Sequence, residues 1–397
     1  MKIFLLVNSL LFGLSLLGIL LVFLFNPLMI LIFYLIKGKR KLINTEIHPS
    51  ISFIIVVHNG ENLIINKIEN TLSLNHLSED YEIIVFSDGS TDKTGERVKN
   101  FIDKSGEKRI KFLSSLTHEG KNSAINKAVE NSSKEIIVFS DADAILEADA
   151  MIHLIKHFSD PRIGGVCGRR IISEDNKKLN KPQSDYIKFD TTIKLLESKI
   201  DSISSNDGKL YAIRRNLFQF IPSAVTDDLY MCLLIVKQRY LFLLEPEAKA
   251  FIKAPSRDIS HEIKRRRRIV STSLRGIYLM RELLNPLKYG FFSIRLIINK
   301  VIRRGLPFCL LLIFFSSLYL SFYNSVIKIF FILQIIFYIL ALLHWVLLKN
   351  ISGLKLIKRI TSLSLYFCIG NFGTLLGVID LLMGKKITKW EPLKVDR

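Results

Sequence analysis

Lys134-Glu-Ile-Ile-Val-Phe-Ser-Asp-Ala-Asp143 is the stretch on which the reading of the fold turns. Ile136 to Phe139 are four consecutive apolar residues, mostly β-branched, which predicts a strand buried on both faces as in a parallel sheet. The strand runs into Asp141-Ala142-Asp143. Two carboxylates one residue apart, just past a buried strand, stand where open α/β sheets bind ligands. Mg²⁺ takes one or two carboxylates together with substrate phosphates, so such a pair can hold a metal against a diphosphate. Asp is also favoured in turns for its own sake, and the rest of the chain has to decide between the two.

Outward from that strand, the chain alternates. Strands are predicted at Ile51–Val57, Glu82–Phe86 and Ile110–Leu113, with helices over 63–74, 93–102 and from about Lys121. Beyond Asp149 come a helix over 151–158, a strand near 164–168, a helical region over 186–203, strands at 208–213 and 241–244, and a helix over 229–237 opened by Thr226-Asp227-Asp228. This alternation argues for an α/β fold with a mostly parallel, doubly wound sheet. An Asp at a helix start is a routine N-cap, and capping does not exclude chemistry.

The chain ends are different. Ile3 to Ile36 is almost wholly apolar and is followed by Lys37-Gly-Lys-Arg-Lys41. A bilayer core needs roughly 20 apolar residues, and the segment lacks the short apolar core and cleavage site of a signal peptide. Asn26-Pro27 allows one long kinked span or a tight hairpin, and one span is the expectation. The basic cluster after it places the following domain in the cytoplasm of an inner-membrane, multi-pass protein. Residues 42–50 form a linker. From 256 to about 300 the sequence is basic and amphipathic around Lys264-Arg-Arg-Arg-Arg268, as expected of a segment lying on anionic headgroups. Apolar spans follow at 306–322, 326–348 and 360–383. A third crossing would put the C-terminus outside, whereas Lys385, Lys386, Lys389 and Lys394 favour the inside, so the last segment is expected to cross, re-enter or lie at the interface. The domain plan is thus 1–36, 37–50, 51–255, 256–300, 301–384 and 385–397.

The net charge is +20 and 49% of the 397 residues are hydrophobic. A nucleic-acid partner is not expected, because the basic residues flank membrane segments and lack interleaved aromatics for base stacking. Cys167, Cys232, Cys309 and Cys368 are far apart and have no metal-finger spacing.

The ordered set His58-Asn59, Ser87-Asp-Gly-Ser-Thr-Asp92, Glu119-Gly-Lys-Asn-Ser-Ala-Ile-Asn126, Asp141-Ala-Asp143 and Thr226-Asp-Asp228 resembles the membrane-integrated family 2 glycosyltransferases of GT-A fold, related to cellulose and poly-N-acetylglucosamine synthases. The resemblance spans roughly residues 51–270. It implies a nucleotide-sugar-binding sheet flanked by N- and C-terminal transmembrane helices. Asp88 would read the nucleotide base. Asp141 and Asp143 would be the DxD pair carrying Mg²⁺ or Mn²⁺ and the diphosphate, with Lys121 near the phosphates. Asp228 would be the general base. A single displacement implies inversion at the anomeric carbon.

What the resemblance implies of partners is a nucleotide-sugar donor, with UDP the family's commonest carrier, a lipid-linked or saccharide acceptor, and the lipid bilayer. Processive members carry Gln-x-x-Arg-Trp, whereas this chain has Arg265-Arg-Arg-Arg268-Ile269. Arg268 is kept, and would face either the diphosphate or anionic lipid. The sugar-stacking Trp is missing, which favours transfer of one sugar over processive polymer synthesis with translocation. A non-catalytic scaffold is disfavoured because Asp88, Asp141, Asp143 and Asp228 are all present.

Overall fold

The computed structural model describes residues 1–43, 45–75, 79–173, 181–253, 258–348 and 355–388. The start of the basic segment at Ser256 and the tail lysines Lys389 and Lys394 lie outside the described residues. The chain opens with α1 (Lys2–Leu20), a π-helical turn (Leu21–Phe25) and α2 (Asn26–Lys37) in one continuous rod of 36 residues. The hairpin alternative is therefore not the one adopted. Pro27 lacks an N–H and cannot complete an α-helical bond; the π-turn just before it absorbs the mismatch without ending the helix.

The central sheet has eight strands in the order β3-β2-β1-β4-β7-β6-β8-β5. These are β1 (Ile51–Val57), β2 (Tyr81–Asp88), β3 (Ile110–Ser115), β4 (Ile136–Ser140), β5 (Ile145–Leu146), β6 (Ile163–Ile172), β7 (Leu210–Arg214) and β8 (Leu241–Ile252). Strands β3, β2, β1 and β4 are parallel. The other half is mixed: β7 runs antiparallel to β4 and β6, β6 is parallel to β8, and β5 is antiparallel to β8. The all-apolar runs of β1 and β4 are buried along their whole length, as their composition requires. Each Ile, Val or Phe so buried contributes roughly 1.5–3 kcal/mol relative to exposure.

The helices of this domain are α3 (Ile64–Leu72), α4 (Thr94–Ser105), α5 (Lys121–Glu130), α6 (Ala150–Ile155), α7 (Lys181–Ile200) and α8 (Asp227–Lys237). They cover both faces: Ala124, Ile125 and Ala128 of α5 pack with Leu233 of α8 in one core, while Ile64 and Ile68 of α3 pack with Met151 and Leu154 of α6 in the other.

The basic segment folds as α9 (Ile259–Leu279), capped by Asp258, whose side chain accepts from His261 N at 2.8 Å, and α10 (Pro286–Leu296), capped by Asn285. Through a second π-turn (Ile297–Ile302), α10 continues into α11 (Arg303–Leu320), so this apolar stretch begins about twenty residues earlier than its hydropathy alone suggests. Asn324 caps α12 (Ser325–Leu343) after a short turn, and α13 (Lys355–Leu382) follows. Among the described residues four helices, Lys2–Lys37, Pro286–Leu320, Ser325–Leu347 and Leu356–Leu382, are long and apolar enough to cross a membrane.

The direction of α13 is decided by its contacts. Its glycines face α9: a Cβ on Gly377 would meet the Arg267 carbonyl at 2.6 Å, and one on Gly373 would come 3.1 Å from the Ile263 carbonyl. Small residues let two helices approach this closely. Asp380 accepts from Arg267 Nη2 at 2.7 Å. Beyond the helix, the Thr388 carbonyl lies against Gly120, 2.4 Å from where a Cβ would stand. The described end of the chain is therefore on the same side as the sheet.

Candidate active site

The sheet order contains one topological switch. From β1 the chain winds outward through β2 to β3, then returns to lay β4 on the other side of β1. Ligands of open α/β sheets bind outside the carboxyl ends of the strands at such a point. Asp88 is the last residue of β2, and Asp141 is the first after β4. Asp227 and Asp228 open α8, where the positive end of the helix favours carboxylates. Thr226 precedes them as N-cap without a side-chain capping bond, and its hydroxyl is 2.7 Å from that of Thr272 on α9.

Two lysines join these carboxylates. Lys121 Nζ, at the start of α5, lies 2.8 Å from Asp141 Oδ1 and 2.8 Å from Asp227 Oδ2. Lys209 Nζ, just ahead of β7, lies 2.9 Å from Asp141 Oδ2 and 2.8 and 3.0 Å from the two oxygens of Asp143. Burial would raise the Asp141 carboxyl, but the ammonium groups of Lys121 and Lys209 outweigh it and hold the group well below the usual carboxylate range. Burial would likewise lower both lysines, and their carboxylate partners raise them instead. Asp228 behaves in the opposite way. Burial, and next the neighbouring Asp227, push its carboxyl up to about 6, with only partial relief from Lys121 and from the Leu229 N–H that donates to Oδ1 at 2.6 Å. A carboxylate with its affinity for protons raised toward neutrality is suited to act as a base.

The remaining expected residues are placed as follows. Asp88 is fully buried. Its carboxylate accepts from Glu119 N and Gly120 N, both at 2.9 Å, and from Ser115 Oγ at 3.3 Å, and it pairs with His118 Nδ1 at 2.8 Å. Asp88 thus shapes the loop over 115–120, and both of its oxygens are engaged. The same loop stacks His118 on His58, with ring centroids 3.9 Å apart. Of the four consecutive arginines, Arg265 and Arg266 pair with Glu262, and Arg267 pairs with Asp380. Only Arg268 lies within the field of Asp227, Asp141 and Asp228. Arg265 is thus tied within α9, Arg266 and Arg267 also reach Tyr366 and Asp380 of α13, and Arg268 is the member of the run that faces the carboxylates.

Two lysines escaped the sequence reading. Lys209 falls in the stretch 208–213 read as a strand, where it reads as an ordinary strand-end residue. Lys67 is fully buried beneath the site: its Nζ donates to Ser140 Oγ and to the Ala144 carbonyl, both at 2.7 Å, clamping the Asp141–Asp143 turn from below. Burial pushes its amine down to about 7. The signal was present, since Lys67 falls on the Ile64, Ile68, Thr71 face of α3, where a cation has no place unless it has a task.

The Asp141–Asp143 pair already surrounds one cation, the Lys209 ammonium. Hard carboxylate oxygens in this arrangement fit Mg²⁺ or Mn²⁺. Among the described residues no cluster of three His, Cys, Asp or Glu side chains forms a cage, so phosphate oxygens and water would complete the shell. The Asp143 side chain is 41% exposed, leaving a side open to them.

Gly208 allows Asp228 its position. It has φ +59, and a Cβ would stand 2.5 Å from Asp228 Oδ2. Gly208→Ala is expected to displace Asp228 and reduce any turnover by at least about tenfold, while binding of nucleoside diphosphate changes little; the comparison of kcat with nucleotide Kd checks it.

The sheet order, the switch point and the carboxylates beyond β2 and β4 define the GT-A fold. A family model described as Glycosyl transferase family 2 matches residues 52–221, which takes in β1 to β7. The chain therefore has the fold of family 2 glycosyltransferases, with four candidate membrane-spanning helices. Among curated relatives, the poly-beta-1,6-N-acetyl-D-glucosamine synthase of Staphylococcus aureus strain MSSA476 is 24% identical over 224 residues, covering 55% of this chain and 53% of that protein. The synthase of the same name from Staphylococcus epidermidis is 25% identical over 235 residues, 56% of each chain. The chain spans about half the length of these relatives. Among solved structures, the mannosyltransferase PcManGT from Pyrobaculum calidifontis, in complex with GDP-Man and Mn²⁺, superposes with a TM-score of 0.70 over 95% of this chain and 100% of its own, at 19% identity. That likeness is one of fold.

Proposed function

We propose that the protein is an inverting, metal-dependent glycosyltransferase, a hexosyltransferase that moves a sugar from a nucleotide-sugar to a membrane-associated or saccharide acceptor on the cytoplasmic side of the membrane. The observation that carries this reading is the convergence of Asp141, Asp143 and Asp227 on two lysines at the switch point of the sheet, with Asp228 beside Asp227 at the start of α8. Asp228 takes the proton of an acceptor hydroxyl as its oxygen attacks the anomeric carbon. Lys121 and Arg268 offset the charge that develops on the departing diphosphate. Asp141 and Asp143 hold the divalent cation, which supplies Lewis-acid neutralisation of that diphosphate. Asp88 acts on the donor side by fixing the loop over 118–120. UDP is the proposed carrier; GDP is tested beside it because the solved mannosyltransferase holds GDP-Man.

A second reading, processive polymer synthesis with translocation, is favoured by the names of the curated relatives. Against it, Ile269 offers no ring on which an acceptor sugar can stack. The test is a screen of UDP- and GDP-sugars with Mg²⁺ or Mn²⁺ against membrane lipid extract, with mass spectrometry of the products. A lipid or saccharide heavier by one hexose unit is expected. Long chains from a single donor would overturn the single-transfer reading, and no donor turnover under any condition would overturn both.

A further inference from the structure

A polar cavity lies where the N-terminal rod meets the catalytic domain, lined by none of the lysine-bridged carboxylates. The rod of 36 residues is about 54 Å long, and a bilayer core takes up only about 30 Å of it. Its last part, α2, which begins at Asn26, packs on α7 of the catalytic domain. At this level the rod meets the second π-turn, Ile297–Ile302. π-turns inside helices are concentrated at functional sites, and here two of them face one another.

The floor of the cavity is charged. Lys194, Lys300 and Arg303 line it together with Asp190 and Glu197. Lys194 is committed to Asp190 at 2.8 Å, and Glu197 to Ser204 Oγ at 3.0 Å. Lys300 makes no hydrogen bond or ion pair among the described residues. Asn26, 2% exposed, donates to Asn299 Oδ1 at 2.9 Å but has its own Oδ1 buried without a partner. A buried polar atom left unpaired costs about 1–3 kcal/mol, so this place is built to receive something polar. The mouth is apolar: Phe23 and Phe189 line it, each 48% exposed. The enclosed volume is about 30 Å³, room for about two water-sized atoms. That excludes a sugar ring or a nucleotide and suits the oxygens of one anionic group entering from the lipid side.

We propose that this cavity seats the phosphate of a membrane-borne acceptor, with Lys300 as its principal cation and the hydrocarbon chain leaving past Phe23 and Phe189. The link to the chemistry is short. Ser204 and Ser205 line the cavity, and three residues on, Gly208 abuts Asp228, a chain distance of at most about 10 Å. A lipid phosphate held here would lie a few residues of chain from Asp228. The inference rests on the glycosyl-transfer reading for what happens next, but not for binding.

The test therefore measures binding without a donor present. Dodecyl phosphate, inorganic phosphate and phosphatidylglycerol are titrated against the full chain in detergent or nanodiscs, with thermal unfolding as the check on fold. Dodecyl phosphate is expected to bind at least about tenfold more tightly than inorganic phosphate. Lys300→Gln is expected to weaken it about tenfold, and Lys300→Arg to retain it. Equal binding by the wild type and a folded Lys300→Gln variant would overturn the site. Inorganic phosphate binding as tightly as dodecyl phosphate would make the ligand a free anion and overturn the lipid assignment. Phosphatidylglycerol displacing dodecyl phosphate at equal concentration would make the site one for bulk lipid and overturn the acceptor assignment. If dodecyl phosphate binds as expected while no nucleotide-sugar is ever turned over, the site stands and the glycosyltransferase reading falls.

Discussion

Asp228→Asn is expected to lower sugar transfer by about 10²–10⁴-fold, the usual contribution of a positioned base, and at the same time to make the folded protein more stable near pH 7. The second effect follows from the raised affinity of Asp228 for protons, with its carboxyl at about 6. Between the unfolded value near 4 and about 6, the native state binds more protons than the unfolded chain. Stability from this group therefore falls as pH rises through that window and stays reduced above it. Removing the charge returns on the order of 2 kcal/mol at neutral pH. Turnover of the wild type should run the other way, climbing with pH through about 6 as the base ionises. Chemical denaturation beside a pH–rate profile separates the two outcomes. An inactive variant that is also less stable would argue that Asp228 is a structural residue of the α8 helix start.

Asp143→Asn is expected to remove metal dependence. Asp143 is the more open member of the Asp141–Asp143 pair, so its loss takes a ligand and leaves Lys209 facing Asp141 alone. The fall in Mn²⁺ affinity should exceed the ~10–100-fold typical of losing an outer partner of a metal ligand, with turnover lost in parallel. Electron paramagnetic resonance of Mn²⁺ in the presence of nucleoside diphosphate reads affinity directly. Unchanged Mn²⁺ binding would place the cation elsewhere, and with it the diphosphate.

Much of the left half of the sheet was legible because its strands are buried on both faces. Ile51–Val57 and Ile136–Phe139 need no partner information to be recognised. Strand β7 was legible as a strand but not as an antiparallel one, because alternation of side chains carries no direction. Strand β5, two residues long, is too short to leave a pattern. Hydropathy found α13 but not its course: Gly370, Gly373 and Gly377 form a face pressed against α9, a packing that apolar content does not report. The carboxylates of the site were visible in the sequence. Their counter-cations were less so, because Lys67 and Lys209 are distant in the chain from the groups they serve and are brought to them only by the order of the strands.

The contact between the Thr388 carbonyl and Gly120 joins two ends of the molecule. Gly120 donates to Asp88 on the proposed donor loop, while Thr388 lies in the segment that follows a helix apolar enough for lipid. A tilt or shift of that helix would therefore bear on Gly120 and, through its N–H, on Asp88.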